Sequence, residues 1–496
     1  MTEDKPPHVG RGLLLRGLLA GVLICLLTAG AVSATVLLQI DDVINIIERE
    51  GRAPIVIPEI DRADAGKAQT ILVLGSDARY EDRKTGAKPR SDTMILVRLD
   101  PDQNAIALMS IPRDLIGVPG LAPFEKINSA YELGGERGMV RTLKRLLSTD
   151  ERPFPINHVV TVDFGGFRRA INYIDCVYAD IDRRYFNDRG GPGGYATIDI
   201  QPGYQKVCGK DALDYVRYRH TDNDLVRSAR QQEFLRQARS QQGVRKVRDP
   251  TEIKTLARVF ARYFDFDAGL RKKKQLFGLA RTLIYVARNP IREVRFRVGV
   301  ASDQINFTAS EAQIEKSVDD FLEAKASTAP RQTTAKQTGS KRAKRKRSSI
   351  KGLTQARSTG ENLAIAGARK VDFPFYFPDL LTASGFYAED MPFAYGLRDE
   401  RGKRHDAFRL VISNRQFGEY YGVQGTSWRY PPILDDPHET ITREGRRLLV
   451  YRDGRRVRLV AWRTRRAVYW VSNTLTQSLS SGQMIGIASS LRRFGR

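Results

Sequence analysis

The chain has 496 residues and carries 82 Lys and Arg against 57 Asp and Glu, a formal net charge of +25. Its length exceeds one typical hydrophobic core, which excludes a single small domain and predicts at least two. The charge surplus calls for anionic partners, but nucleic acid, lipid headgroups, phosphorylated lipids and anionic wall polymers satisfy it equally.

The first element in chain order is apolar. Gly17 to Ile40, GLLAGVLICLLTAGAVSATVLLQI, contains no ionisable side chain. At about 1.5 Å per residue it is long enough for a hydrocarbon core of about 30 Å. Lys5, Arg11 and Arg16 precede it and Asp41, Asp42, Glu48 and Glu50 follow. Positive-inside asymmetry therefore predicts a cytoplasmic N-terminus (1–16), one transmembrane helix (17–40) and everything later outside the cytoplasm. Small residues at Ala29, Ala31 and Ala34 offer a cleaved signal peptide as the alternative, but the apolar run outlasts a signal-peptide core. Either way the chain is exported, which argues against nucleic acid as its partner.

Residues 41–68 read as a juxtamembrane stalk, helical and then broken by Pro54 and Pro58. A mixed α/β pattern fills 69–322. Short apolar runs predict strands at 71–75 (ILVLG), 94–99 (MILVRL) and 105–110 (AIALMS), the last two joined by the turn at Pro101–Asn104. A hairpin of the second and third strands returns Arg113 beside Asp92, and an antiparallel first strand delivers Asp77 to the same end. Asp77 and Asp92 would then stand with Arg90 and Arg113. Paired carboxylates suit Mg²⁺, which shares its shell with phosphate oxygens, and arginine forks suit the same phosphates. Ordinary ion pairs at loop ends are the plainer explanation.

The next basic concentration is ALDYVRYRHTDNDLVRSARQQEFLRQA (212–238). An extended 216–219 would turn Arg217 and Arg219 to one face, with Val216 and Tyr218 on the other. A helix starting near Asp224 would align Asp224, Arg227 and Gln231, with Arg230 on the same side. Such a set suits a diphosphate, against the alternative of a salt-bridged amphipathic helix. His220 has no companion histidine at useful spacing and reads as a loop residue. Gly190–Gly194 lacks the strand–loop–helix context of a phosphate cradle, and no G-x-S-x-G elbow, P-loop or CxxC occurs. Outside the apolar helix, Cys176 and Cys208 are available for a disulfide in an oxidising compartment, with two independent buried thiols as the alternative.

Residues 323–370 read as a basic linker of low complexity. Its tract from Lys341 to Arg347 resembles a nuclear-targeting signal, but the preceding anchor makes it a solvated tether. A smaller α+β domain is predicted over 371–496. Its strands are expected at 408–413, 447–451, 457–462 and 467–472, with an Asp453-Gly454 hairpin turn and a closing helix at 476–491.

Together LGSDAR (74–79), RSDTMILVRLDP (90–101), SIPRDLIGVPG (110–120), KINSAYELGG (126–135), VDFGGF (162–167) and ALDYVRYRHTDNDLVRSARQQ (212–232) resemble the LytR–CpsA–Psr family of cell-wall glycopolymer ligases. The resemblance covers about 70–240 with its blocks in family order. It implies an α-β-α-like catalytic domain with a central mixed sheet in a single-pass bacterial cell-membrane protein. It implies transfer of a glycopolymer phosphate from a polyprenyl-pyrophosphate-linked donor to a peptidoglycan hydroxyl, releasing polyprenyl phosphate. Carried over, Asp77 and Asp92 are the Mg²⁺ carboxylates and, with Arg113, Arg217 and Arg219, the catalytic set. Arg90, Arg113, Arg217, Arg219 and Arg227 hold the pyrophosphate, supported by Asp224, Arg230 and Gln231, and Lys126 lies near the acceptor or headgroup.

The chain departs from the family pattern at Asp175-Cys176-Val177 and at GYQKVCGKDAL (203–213). Both departures introduce a cysteine, which favours a Cys176–Cys208 bond stapling the loop between them to the site. An apolar groove for the lipid is expected from the central sheet with the helix at 136–147. A pyrophosphatase, a non-catalytic wall-binding scaffold and a membrane-bound regulator are the rival functions.

Overall fold

Two-residue alternation along the first strand decides how the N-terminal domain is layered. The computed structural model describes residues 41–496 except 63, 65, 77–90, 150, 191–195, 220–222, 240, 242–251, 287–290, 304, 326–349, 415–418 and 496. The predicted transmembrane segment, His220 and most of the glycine-rich loop lie outside the described residues. Among those described, no helix is long and apolar enough to cross a membrane.

After a helix over 41–50 (α1), the three predicted strands are present as β1 (Gln69–Ser76), β2 (Ser91–Asp100) and β3 (Ala105–Ser110). They are followed by α2 (Ser129–Leu147), β4 (His158–Asp163) and α3 (Phe164–Tyr173). Next come β5 (Val177–Ile181), the short pair β6 (Tyr185–Asn187) and β7 (Ile198–Ile200), and β8 (Gly203–Val207). The domain finishes with α4 (Gly209–Arg217), α5 (Asp224–Arg239), α6 (Ile253–Tyr263), β9 (Phe264–Phe266), α7 (Lys273–Val286), β10 (Ile291–Arg295) and, further on, α8 (Glu311–Leu322).

The central sheet is mixed, in the order β10-β3-β2-β1-β4-β9. β1 runs parallel to β4 and antiparallel to β2, which is antiparallel to β3, and β10 is parallel to β3. Leu72 and Leu74 of β1 and Met94 and Leu96 of β2 face α2, where they bury Met139, Val140 and Leu143. Val73 and Ile95, one residue out of phase, face a cavity on the other side, as a pleated strand requires. α2 is therefore on the opposite face from that cavity, which corrects the expectation that the 136–147 helix lines the groove.

The second domain is an eight-stranded sheet, antiparallel throughout, with strands at Phe393–Arg398, Arg404–Ser413, Tyr420–Thr426, Glu439–Arg443, Arg446–Asp453, Arg456–Arg463 and Val468–Ser472, plus the short Phe386–Tyr387. It starts earlier than the linker reading placed it. Leu353–Gln355 is a strand and Arg357–Ala368 a helix. That helix buries Gly360, Ala364 and Gly367, a stripe of small residues that hydropathy does not register. A Cβ on Gly360 would meet Phe377 at 2.5 Å and one on Gly367 would meet Phe375 at 2.3 Å, so bare backbone lies on those rings. The closing helix is also shorter than expected, Ser481–Ser489. Ser480 and Gln483 start it with a capping box and Leu491–Phe494 follows as a strand.

The β5–β8 hairpin joins the domains. Tyr178 and Tyr204 belong to the same buried cluster as Trp428 and Trp470 of the second sheet. Asp180 accepts from Arg409 at 2.9 Å and from the Trp470 indole at 3.2 Å. At the base of that hairpin Cys176 and Cys208 are disulfide-bonded, with Cα atoms 4.6 Å apart.

Candidate functional site

The parallel strands β1, β3 and β4 end together, and the loops that leave them meet α4 and α5 there. Ligand sites of open α/β sheets favour such strand ends. β2 contributes Asp92 from its opposite end, and the loop after β3 brings Arg113, whose guanidinium pairs with the Asp92 carboxylate. The hairpin register of Ile95 with Ser110 places these two residues side by side.

α5 docks against this loop. Asp224, at the helix start, accepts from the Arg113 backbone N–H at 2.7 Å and pairs with Arg227. Burial pushes the Asp224 carboxyl up and the Arg227 guanidinium opposes that rise. Arg227 also donates to the Asp92 carbonyl at 2.8 Å. Gln231 donates to Thr93 Oγ1 at 3.0 Å and to the Val216 carbonyl at 3.1 Å, tying β2 to α4.

Asp114 was missed in the sequence and is the hub of the cluster. Its side chain is only 3% exposed, yet it accepts from Lys126 Nζ at 2.8 Å and from Arg219 Nη2 at 2.6 Å. The available signal was a carboxylate directly after Arg113, set among Leu115 and Ile116; an acid in such surroundings needs cations. Phe164 was also missed as a site residue. Its ring lies 3.7 Å beneath the Arg217 guanidinium, a cation–π contact that orients the fork.

Two expectations need correction. Arg217 and Arg219 do not lie on a strand. α4 runs to Arg217, because Ala212, Tyr215 and Val216 recur at helical spacing and are buried together. The two arginines still line the same cavity, one from the last helical turn and one just beyond it. Arg230 does not reach the cavity. Fully buried, it donates to the carbonyls of Tyr215 and Tyr218 at 2.9 and 2.8 Å and lies over the Tyr185 ring, so it fixes the α4 exit. Asp77 and Arg90 lie outside the described residues.

The cavity beside this cluster has a volume of about 710 Å³ and an apolar body of Val73, Ile95, Phe167, Ile171, Leu213, Phe234, Phe260 and Phe264. At its polar end Arg113, Lys126, Arg217, Arg219 and Arg227 gather with Asp92, Asp114 and Asp224. Of the residues that line the cavity itself, Arg113, Arg217, Arg219 and Arg227 stand against Asp92 and Asp163, which leaves two positive charges in surplus. Among the described residues, no group of three His, Cys, Asp or Glu side chains is placed to hold a metal ion. The Asp92 side chain is 30% exposed at the cavity, and such a carboxylate suits a hard cation that shares phosphate oxygens.

A mixed sheet with helices on both faces and an apolar cavity under a cationic cluster at its strand ends defines the class of domain. The LytR_cpsA_psr family matches residues 42–323, more than half of the chain, and the protein belongs to that family. Two relatives from Bacillus subtilis are polyisoprenyl-teichoic acid–peptidoglycan teichoic acid transferases. TagV is 34% identical over 175 residues, 34% of this chain and 42% of TagV. TagT is 30% identical over 181 residues, 36% of this chain and 54% of TagT. The chain thus spans about half the length of these curated relatives. The crystal structure of B. subtilis TagV aligns with 52% of this chain and 98% of its own, at 24% identity and a TM-score of 0.40.

Proposed function

We propose that this protein transfers a glycopolymer phosphate from a polyprenyl-pyrophosphate-linked donor to a hydroxyl of peptidoglycan. The observation that carries the reading is the pairing of an apolar cavity with a surplus of guanidinium groups at its polar end. A pyrophosphate attached to a prenyl chain matches both halves, whereas a soluble phosphate uses only the second. The relatives' names supply the same polymer and acceptor classes.

In this reading the prenyl chain enters among Phe167, Phe234, Phe260 and Phe264. Arg113, Arg217, Arg219 and Arg227 hold the two phosphates. The acceptor hydroxyl attacks the glycan-proximal phosphorus, and polyprenyl phosphate leaves. The arginines are already positioned by Asp92, Asp114, Asp224 and Phe164, so charge developing on the phosphoryl oxygens is met without reorganisation. Asp92 and Asp77 would hold Mg²⁺, whose contribution is to neutralise charge on the same oxygens.

The reading includes placement at a membrane. The apolar segment 17–40 directly precedes α1, and α1 pairs with α6 through Glu50 and Arg262 at 2.9 Å. α6 in turn carries Phe260 into the cavity. An anchor at 17–40 with an exported catalytic domain would hold the cavity beside the bilayer that contains the donor's tail.

The test uses purified full-length protein, lipid-linked donor and peptidoglycan, with modified glycan measured by mass spectrometry. Arg219→Ala is expected to cost about 2–4 kcal/mol of transition-state stabilisation, a loss of roughly 30-fold or more. Ala170→Trp, which fills the cavity, is expected to block long-prenyl donors and spare short-chain analogues. Near-normal turnover of the long donor by both variants would refute the assignment.

A further inference from the structure

A second cavity, larger than the one described above, opens elsewhere among the described residues. It is an open cleft of about 1650 Å³ between the two domains. One end is formed by Ser110, Pro112 and Asn223, neighbours in sequence of Arg113 and Asp224. Its walls are β10 on one side and the Asp453-Gly454 hairpin of the second domain on the other. Arg236 of α5 fixes that hairpin across the domain boundary, reaching Asp453 at 2.9 Å and Glu293 of β10 at 2.8 Å.

By formal charge the cleft is balanced, but most of its acids are already engaged. Glu293 and Asp453 are taken by Arg236, Asp319 by Arg152, Asp320 by Arg297 and Glu439 by Arg452. Glu419 accepts from the hydroxyls of Thr476 and Ser478, and Glu323 and Lys325 cancel in charge. Four guanidiniums stand outside ion pairs, facing Glu419, whose partners are neutral hydroxyls, and the Glu293 and Asp453 carboxylates that share the single cation Arg236. Among the described residues Arg292, Arg295 and Arg455 make no direct ion pair, although Glu293, Glu419 and Asp453 lie near enough to Arg295 to act on it. Arg456 donates to the carbonyls of Thr476 and Gln477 at 3.3 Å.

These four come from both domains and face one cleft. Gly454 permits the closest approach, since a Cβ there would lie 2.6 Å from Arg292 Nη1. Burial lowers the Arg295 guanidinium and the facing Arg456 lowers it further, while the Glu293, Glu419 and Asp453 carboxylates nearby oppose the fall. A fold that holds like charges together across a domain boundary, in the open, leaves room for an anion between them. The size argues against a single small anion, because sites for whole drug-sized ligands occupy about 300–1,000 Å³.

We propose that this cleft binds the phosphate-bearing chain of an anionic glycopolymer, with Arg292, Arg295, Arg455 and Arg456 meeting its phosphates. The inference rests on the proposed transfer reaction for the polymer's identity, and the cleft's end beside Arg113 gives that polymer a path from the reacting phosphate. The second domain then acts as one wall of a polymer-binding channel.

The experiment measures binding of a lipid-free, fluorescently labelled glycerol phosphate octamer to full-length protein in detergent. The comparison set is wild type, Arg295→Glu/Arg456→Glu and Arg219→Ala. The exposed cleft arginines are expected to tolerate reversal, checked by an unchanged thermal midpoint. The double variant should lose at least tenfold in octamer affinity, with transfer of a donor bearing a single sugar unit unaltered. Arg219→Ala should lower transfer by roughly 30-fold or more and leave octamer binding in place, which separates failure of the channel from failure of the catalytic assignment. Undiminished octamer binding in the folded double variant would overturn the proposal. So would equal affinity for inorganic phosphate, or for a neutral glycan of the same length.

Discussion

Asp180→Ala tests whether the two domains form one energetic unit. The Asp180 and Arg409 side chains are 4% and 1% exposed, and the carboxylate also accepts from the Trp470 indole. Alanine strands a guanidinium in a region that water does not reach. Removing one partner of a buried ion pair costs about 3–5 kcal/mol, and among the described residues Arg409 keeps the neutral Ser472 hydroxyl at 3.0 Å, so a value near 3 kcal/mol is expected. Against a typical total of about 5–15 kcal/mol this is a large fraction. Asp180→Asn retains an acceptor oxygen and should fall between the two. The three tryptophans, Trp428, Trp462 and Trp470, all belong to the second domain, so denaturant unfolding followed by tryptophan fluorescence reports on that domain selectively. A loss below about 1 kcal/mol in Asp180→Ala would refute the claim that this buried pair holds the interface.

Cys176 and Cys208 are 32 residues apart; by the chain-entropy argument, Cys176→Ser/Cys208→Ser should cost about 4 kcal/mol and loosen the β5–β8 hairpin. Identical unfolding of the oxidised and serine forms would contradict this. Burial raises the Glu293 carboxyl to about 8, with Asp453 and Glu233 adding to the rise and Arg236 and Arg458 opposing it. Because the folded form holds this proton more tightly, the group's stabilising contribution is complete below its unfolded value of about 4.5 and is lost as pH rises through about 8. Glu293→Gln should therefore flatten the decline in stability between those values, measured as unfolding midpoints at several pH values; an unchanged slope would exclude the residue as its source.

How much of this was legible in the sequence depended on whether a feature was local. The strands at 71–75, 94–99 and 105–110 are compact apolar runs, and a short turn forced the last two into the hairpin that sets Arg113 beside Asp92. Asp224, Arg227 and Gln231 could be grouped because a helix places residues three and four apart on one face. The same logic failed for Arg230, since spacing ranks residues along a helix without saying which neighbours close over them. Here Tyr185, Tyr215 and Tyr218 enclose it.

The sequence by itself determined the family, the strand hairpin and most of the cationic cluster, because those are matters of residue type, order and short-range spacing. It also predicts an anchored, exported chain. Only the tertiary structure decided which face of the sheet carries the cavity, that Asp114 unites Lys126 and Arg219, and that a stripe of glycine and alanine starts the second domain. It alone decided that β5–β8 plugs the two domains together and leaves an arginine-lined cleft between them. Each of these depends on residues tens to hundreds of positions apart, brought together by packing that no local pattern records.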